Sequence, residues 1–432
     1  MDAIKFNNPS SSEELQQVMY IDVLPISTLS ENAPVEFLVP GSGAQYINLK
    51  DTRLHVKCHI TLRDGSPLPE IPVVESGPIN ADAIVSVTNN FLHSLWRQMD
   101  IFFGDKLVSS SGLNYPYKSY IDVLLNNGKD AKQSQLQAQM FYKDTAGFMD
   151  DSDCYTGGNE GLISRRSFFE KSGKVDMEGP IYADIFQAQS SLLLNGVDVR
   201  IKLWPSAINF ALISANTNPN YKIVLDKVLL RVCKVTVSPS VFLEHEKLLQ
   251  KTTAKYPYMK ADITTRAIDK GQTFLSVENL FQSRIPAKLC VGIVATANYN
   301  GAYHLNPFRF KHANVNYMAA YVNGISMPGS PFEPDFSDNE NYVREFLSIY
   351  QAAGKLGEDS GNFITRTDYR SDYTLYCFDI DPEAQYSLKK QRGNFKLDIR
   401  LAEGAKENLT ILLYALYPEI IEIDKTRNII LP

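Results

Sequence analysis

The cluster His55-Val-Lys-Cys58-His59 invites a metal ion. Side chains alternate sides along a strand, so His55 and His59 share a face and Cys58 points to the other. The spacing matches no zinc pattern, and both histidines read as exposed strand residues. His245-Glu246 opens like HExxH, but Leu249 stands where the second histidine would be. Pro40-Gly-Ser-Gly-Ala44 is glycine-rich, yet no Gly-Lys-Ser/Thr follows and a strand comes next, so it reads as a turn rather than a phosphate loop. Asp150-Asp151-Ser152-Asp153 has calcium-like acidity, but Tyr155 takes the next ligand position and the required glycine is missing. It reads as a solvated acidic loop. Phe308-Arg309-Phe310-Lys311-His312 interleaves bases and aromatics as a nucleic-acid platform would. A half-exposed alternating strand is the simpler cause. No catalytic, cofactor-binding or metal-binding residue is assigned, and no cofactor is expected.

The chain that must position these residues is rich in Tyr (23) and Phe (22), which favour strands, and poor in Trp (2). Its net charge of −6 gives no basic face for non-specific nucleic-acid binding. Five cysteines, Cys58, Cys154, Cys233, Cys290 and Cys377, form no CxxC. They are expected to be reduced, buried small hydrophobes. The first residues, MDAIKFNNPSSSEELQQV, lack the apolar core of a secretory signal. No run of about 18 apolar residues occurs, so no transmembrane segment is expected. These readings imply a reducing compartment, cytosol or nucleus, where the sequon at Asn408 would go unused.

Most segments alternate with period two. Leu54, Val56, Cys58 and Ile60 share one face, as do Val197, Val199, Ile201 and Leu203. This is the one-face-buried pattern of antiparallel sheets. Turn signals recur at Asp64-Gly65, Gly104-Asp105, Asn195-Gly196 and Asn323-Gly324.

The pattern is written twice. Phe91, His93 and Met99 match Phe310, His312 and Met318, each 219 positions apart. The equivalent places of His93 and His312 imply a shared structural role. Gly43-x-x-Tyr46-Ile47-Asn48-Leu49 resembles Gly271-x-x-Phe274-Leu275-Ser276-Val277, and Cys58 matches Cys290, at offsets of 228 and 232. Tyr120, Ile121, Leu124 and Leu125 before Gly128 match Val343, Phe346, Leu347 and Tyr350 before Gly354. Each set predicts a helix with one buried face and a glycine C-cap. Asp198-Val199-Arg200-Ile201 matches Asp398-Ile399-Arg400-Leu401, 200 positions apart. Five matches in one order predict two tandem domains of one topology. The smaller last offset places extra residues between Gly128 and Asp198, a polar, turn-rich stretch expected to be a long surface loop.

The expected fold is all-β: two tandem β-sandwiches with a few short helices. An N-terminal arm, residues 1–33, carries a short helix begun by the capping box Ser11-x-x-Glu14. The first sandwich spans 34–238, with its long surface loop around 129–190. A linker helix follows at 239–254, capped by Ser238 and opened by Pro239. The second sandwich spans 255–425, and 426–432 is a tail.

Several long runs then carry a resemblance. LVPGSGAQYINL, FLHSLWRQMDIFFGDKLVS, YPYKSYIDVLLNNGKDAKQSQL, FYKDTAGFMDD, LLLNGVDVRIKL, SPSVFLEHEKLL, TAKYPY and EIDKTRN resemble the hexon-like major capsid proteins of Polinton/Maverick elements and adintoviruses. The resemblance covers about residues 35 to 428. It implies a double jelly-roll of two eight-stranded sandwiches and a homotrimer forming a pseudo-hexagonal block. Such blocks tile an icosahedral shell around double-stranded DNA. It further implies neighbouring trimers and a single-jelly-roll penton protein as partners, with no sequence-specific nucleic-acid binding. The protein would be made in the cytoplasm, assembled there or in the nucleus, and located in the virion capsid. The 129–190 loop would then be an outward tower or an intersubunit clasp.

Two other classes suit jelly rolls. A glycan-binding protein would want an aromatic groove, and Trp96 and Trp204 are the only tryptophans. An enzyme would be a tandem jelly-roll glycan amidase or a cupin, and the histidine-rich cupin motif is missing. The chain is expected not to be an enzyme.

Overall fold

A computed structural model describes residues 15–41, 43–70, 80–188, 192–337, 339–383 and 391–431. The helix expected from Ser11 and Glu14 lies outside them. The first sandwich, roll 1, is built from β1 (Leu15–Val23), β2 (Val35–Val39), β3 (Gln45–Leu62), β4 (Trp96–Phe103), β5 (Lys106–Ser110), β6 (Val175–Pro180), β7 (Val199–Pro205) and β8 (Tyr221–Val237). Roll 2 uses β9 (Ala254–Ile268), β10 (Phe274–Val277), β11 (Lys288–Ala295), β12 (Val315–Val322), β13 (Ile325–Ser326), β14 (Leu375–Asp379), β15 (Phe395–Leu401) and β16 (Leu409–Ile423).

Roll 1 pairs its strands as β1-β8-β3-β6 and β2-β7-β4-β5. Roll 2 pairs them as β9-β16-β11-β14 and β10-β15-β12-β13. Each strand of roll 1 therefore has its counterpart eight strands later, in the same place. The fold is a double jelly roll. Short extra pairs, such as Val85–Val87 with Leu212–Ser214, close the ends. Alternation does the burying: Val35, Phe37 and Val39 of β2, and Val199, Ile201 and Leu203 of β7, all face the roll 1 core. The β12–β13 hairpin turns at Asn323 (φ 52°) and Gly324 (φ 84°), the paired left-handed conformation that matches strand twist.

Among the helices packed in and around the rolls are α1 (Tyr115–Asn126), α2 (Glu160–Arg166), α3 (Pro239–Leu249) and α4 (Val343–Ala352). In α3, the expected cap forms: the Ser238 hydroxyl accepts from the Val241 amide at 3.4 Å, with Pro239 behind it. Gly354 takes the expected positive φ of 65° past α4. Gly128 does not; it is extended, with φ −84°. No helix among the described residues is long and apolar enough to cross a membrane.

The structure corrects the repeat in detail. Residues 46–49 lie on β3 and Phe274–Val277 is β10, the counterpart of β2, so that match joins different strands. Val199 pairs with Phe103 and Phe395 pairs with Val322 at equivalent hairpins, 196 positions apart. The Asp198 and Asp398 match finds the right strands with a slip of four residues. Cys58 points into the roll 1 core with Val56 and Ile60, whereas Cys290 shares a face with Lys288 on the side turned to roll 1.

The expected arm supplies β1, which pairs with β8 from Val23↔Leu230 to Leu15↔Val237. The 129–190 stretch is not a surface loop. Within it β6 pairs with β3, and Phe141, Met149, Leu162, Phe169, Met177 and Phe186 are buried. Some of its polar residues, Asp144, Asn159 and Arg165 among them, are buried and bond one another. Arg165 and Asp144, both wholly buried, meet at 2.7 Å.

The cysteines also depart from expectation. Cys290 and Cys377 lie directly opposite on β11 and β14 and form a disulfide. Cys58, Cys154 and Cys233 are free and buried, as expected. The partners are 87 residues apart, so strand register, invisible in composition, decides the pairing.

Candidate functional site

The residues singled out for chemistry are all engaged structurally. His55 Nε2 meets Asp176 Oδ1 at 2.6 Å and His59 Nδ1 meets Asp226 Oδ2 at 2.7 Å. The two histidine side chains are only 12% and 16% exposed and pair across neighbouring strands, so they are not the exposed histidines expected. Burial would raise the Asp226 carboxyl, but hydrogen bonds from His59 and Lys174 hold it below its ordinary value. His245 Nδ1 lies 3.0 Å from the Tyr46 hydroxyl, joining α3 to β3. Asp151 and Asp153 accept from the amides of Gly158 and Thr156, which closes their own loop. No group of three or more metal-ligating side chains occurs among the described residues.

Phe308 and Phe310 are fully buried, and Lys311 pairs with Glu407 at 2.6 Å, so this run offers no stacking platform. His93 is enclosed between Tyr115, 3.0 Å from its Nδ1, and the edge of Tyr182. Burial pushes its pKa down to about 3. His312 stacks on Phe336 with ring centres 4.3 Å apart, and burial pushes it to about 4. Both stay neutral near pH 7.

What the fold brings together is a seam between the rolls. α1 supplies Tyr117 and Tyr120, whose rings pack on Phe308 of roll 2; the Tyr120 pair is parallel at 4.1 Å. Farther along α1, Lys118 Nζ sits 2.8 Å from Asp122 Oδ2 and 3.0 Å from Asp184 Oδ1. Tyr414 of roll 2 donates to Asp122 Oδ1 at 2.5 Å, and the Ala261 amide of β9 donates to Asp184 Oδ2 at 3.0 Å. Burial alone would push the Lys118 ammonium down; Asp122 and Asp184 outweigh it and raise its pKa.

A second cluster lies where the 129–190 segment meets roll 2. Arg309 reaches Asp150 at 2.5 Å and Asp372 at 2.6 Å. Asn298 donates to Asp150 at 2.8 Å, and Lys143 pairs with Asp368 at 2.6 Å. Tyr373 donates to the Asp144 carbonyl at 2.6 Å. A third contact closes the end: Arg427 donates to the Asn195 carbonyl at 2.8 Å and pairs with Glu246 of α3.

Between the rolls an open groove of about 1110 Å³ remains, lined by residues including Arg53, Glu178, Lys118 and Tyr414. Of its charges, Lys118 is held by Asp122 and Asp184, and Arg53 lies 3.6 Å from Glu178. The arrangement ties the two sandwiches together through ion pairs and hydrogen bonds. Motif spacing alone does not single out Lys118, Asp122, Asp144, Arg165 or Asp184. The available signal was Lys118 and Asp122 at i and i+4 inside an apolar helix, a pair that must be satisfied internally.

No protein-family model matches the chain. It is 27% identical over 409 residues to "Uncharacterized protein F54H12.2" of Caenorhabditis elegans, covering 91% of this chain and 92% of that protein. Among solved structures it is similar to a chain of the Sputnik virophage, with a TM-score of 0.65, 11% identity, and 100% and 91% of the two chains covered. It is similar to a chain of the PBCV-1 virus capsid, with a TM-score of 0.58, 9% identity, and 99% and 98% covered. The Faustovirus major capsid protein gives a TM-score of 0.56, 7% identity, and 96% and 92% covered. These likenesses establish the double jelly-roll fold across the whole chain.

Proposed function

We propose that this chain is a major capsid protein. Three copies form a pseudo-hexameric capsomer, and capsomers tile an icosahedral shell around double-stranded DNA. The observation that carries this reading is the duplication: two rolls of one strand order, fixed together by a paired polar seam. Three such chains present six similar units, and closed rotational symmetry lets identical chains cover one another's surfaces. Whole-chain similarity to a virus capsid chain and to the Faustovirus major capsid protein supports the role.

The residue runs resembling Polinton/Maverick and adintovirus capsid proteins support placement among those elements. On this reading the partners are neighbouring trimers and a single-jelly-roll penton protein, and the protein resides in the virion. The chain acts by shape and association, not by turnover. Light scattering of the purified protein tests the oligomer: one chain is 48.6 kDa, and a closed trimer weighs about 146 kDa. A monomer at all concentrations would contradict it.

A further inference from the structure

α1 and α4 are one element in two copies. α1 follows the β4–β5 hairpin and precedes β6, while α4 follows β12–β13 and precedes β14. The helices end at Asn126 and Ala352, 226 positions apart. In that register Tyr117 corresponds to Val343 and Ile121 to Leu347.

Their surroundings differ in one respect. Tyr117 and Ile121 are 2% and 1% exposed. Roll 2 helps cover this helix: the Tyr117 hydroxyl donates to the Pro307 carbonyl at 3.0 Å, and its ring stacks on Tyr299 with centres 5.6 Å apart. Val343 and Leu347 are 44% and 39% exposed, and Leu356 just beyond the helix is 54% exposed. The sequence pattern places Val343 and Leu347 on a buried face; in the structure Tyr342, Ile349 and the half-buried Phe346 do that packing instead. Residues four apart lie side by side on a helix, so Val343 and Leu347 form a continuous apolar stripe. Within the described residues of one chain it stays open to solvent.

We propose that the Val343–Leu347 face docks against roll 1 of a second copy of this chain. Each α4 then makes between molecules the contact that α1 makes within one. This rests on the capsomer reading and specifies the face that closes the ring. A junction repeated head to tail forms a closed ring when its rotation divides the circle; about 60° per roll closes after six rolls, hence three chains.

The test is the full chain carrying Val343→Asp and Leu347→Asp, compared with the unchanged protein by light scattering. Both side chains face solvent in the single chain, so the far-UV circular-dichroism spectrum should stay unchanged while the mass falls about threefold, from trimer to monomer, and the melting temperature falls with the lost association. A variant that remains trimeric alongside a trimeric parent overturns this face and leaves the capsomer reading standing. A parent that is monomeric throughout overturns both. Should the variant fold poorly, hydroxyl-radical footprinting of the unchanged trimer decides the matter. Protection of Leu347 relative to the exposed Leu113 is expected, and equal oxidation would overturn the proposal.

Discussion

The hydroxyl of Tyr414, in the long strand β16 of roll 2, donates to the carboxylate of Asp122 in the helix of roll 1 at 2.5 Å. The two residues are 292 positions apart. Both are buried, and Asp122 also holds Lys118. Replacing Tyr414 with Phe removes the donor and leaves an under-satisfied carboxylate. The expected loss is about 1–3 kcal/mol, read by urea denaturation. A loss below a few tenths of a kcal/mol would mean the seam does not bear on stability.

The Arg165–Asp144 pair is enclosed on all sides, and Arg165 also donates to the carbonyls of Val87 and Tyr142. Arg165→Ala strands a buried carboxylate and should cost about 3–5 kcal/mol. The double variant Arg165→Ala with Asp144→Ala should cost less than the two single losses added, because the second change removes the stranded charge. Simple additivity would refute the pairing.

His93 and His312 set the acid response. Their folded pKa values of about 3 and about 4 lie below the roughly 6.5 of an unfolded histidine. The unfolded chain therefore binds more protons in that window. Their stabilising contribution is complete above about pH 6.5 and is lost as pH falls toward 4 and 3, by about 1.4 kcal/mol per unit for each histidine. Burial raises the carboxyls of Asp184, Glu345 and Asp379, and these oppose the loss as they take up protons. The difference between His93→Gln and the parent isolates one histidine. The variant should show a shallower stability slope between about pH 6 and 4. Parallel slopes would show that His93 is protonated in the folded state.

The Cys290–Cys377 pair predicts a simple labelling pattern. Alkylation of the denatured, unreduced protein should mark Cys58, Cys154 and Cys233 and leave Cys290 and Cys377 unmodified. After reduction all five should react. Five modified cysteines without reductant would show that the bond is not formed in the purified protein.

The existence of strands and of two tandem sandwiches was readable because period-two alternation survives wherever one face is buried. Register was not. Alternation looks the same after a shift of two or four residues, and that degeneracy produced the slip between Asp198 and Asp398. The 129–190 segment misled for another reason. Asp144, Asn159 and Arg165 look like loop residues by composition, but they bond one another in the interior, which needs partners the linear sequence does not reveal. Val343 and Leu347 look like core by helical spacing and are exposed in the single chain. Cys290 and Cys377 meet only once β11 and β14 are placed side by side. The seam was not read from the sequence: Lys118 and Asp122 stand at i and i+4, but their partners Asp184 and Tyr414 come from elsewhere in the chain.

The central claim is that the chain is the repeating block of a shell. Electron microscopy of the protein purified at high concentration tests it most directly. The account predicts hexagonal blocks with six similar lobes, which pack edge to edge into sheets or closed particles. Single two-lobed molecules at every concentration, with no hexagonal class, would contradict it.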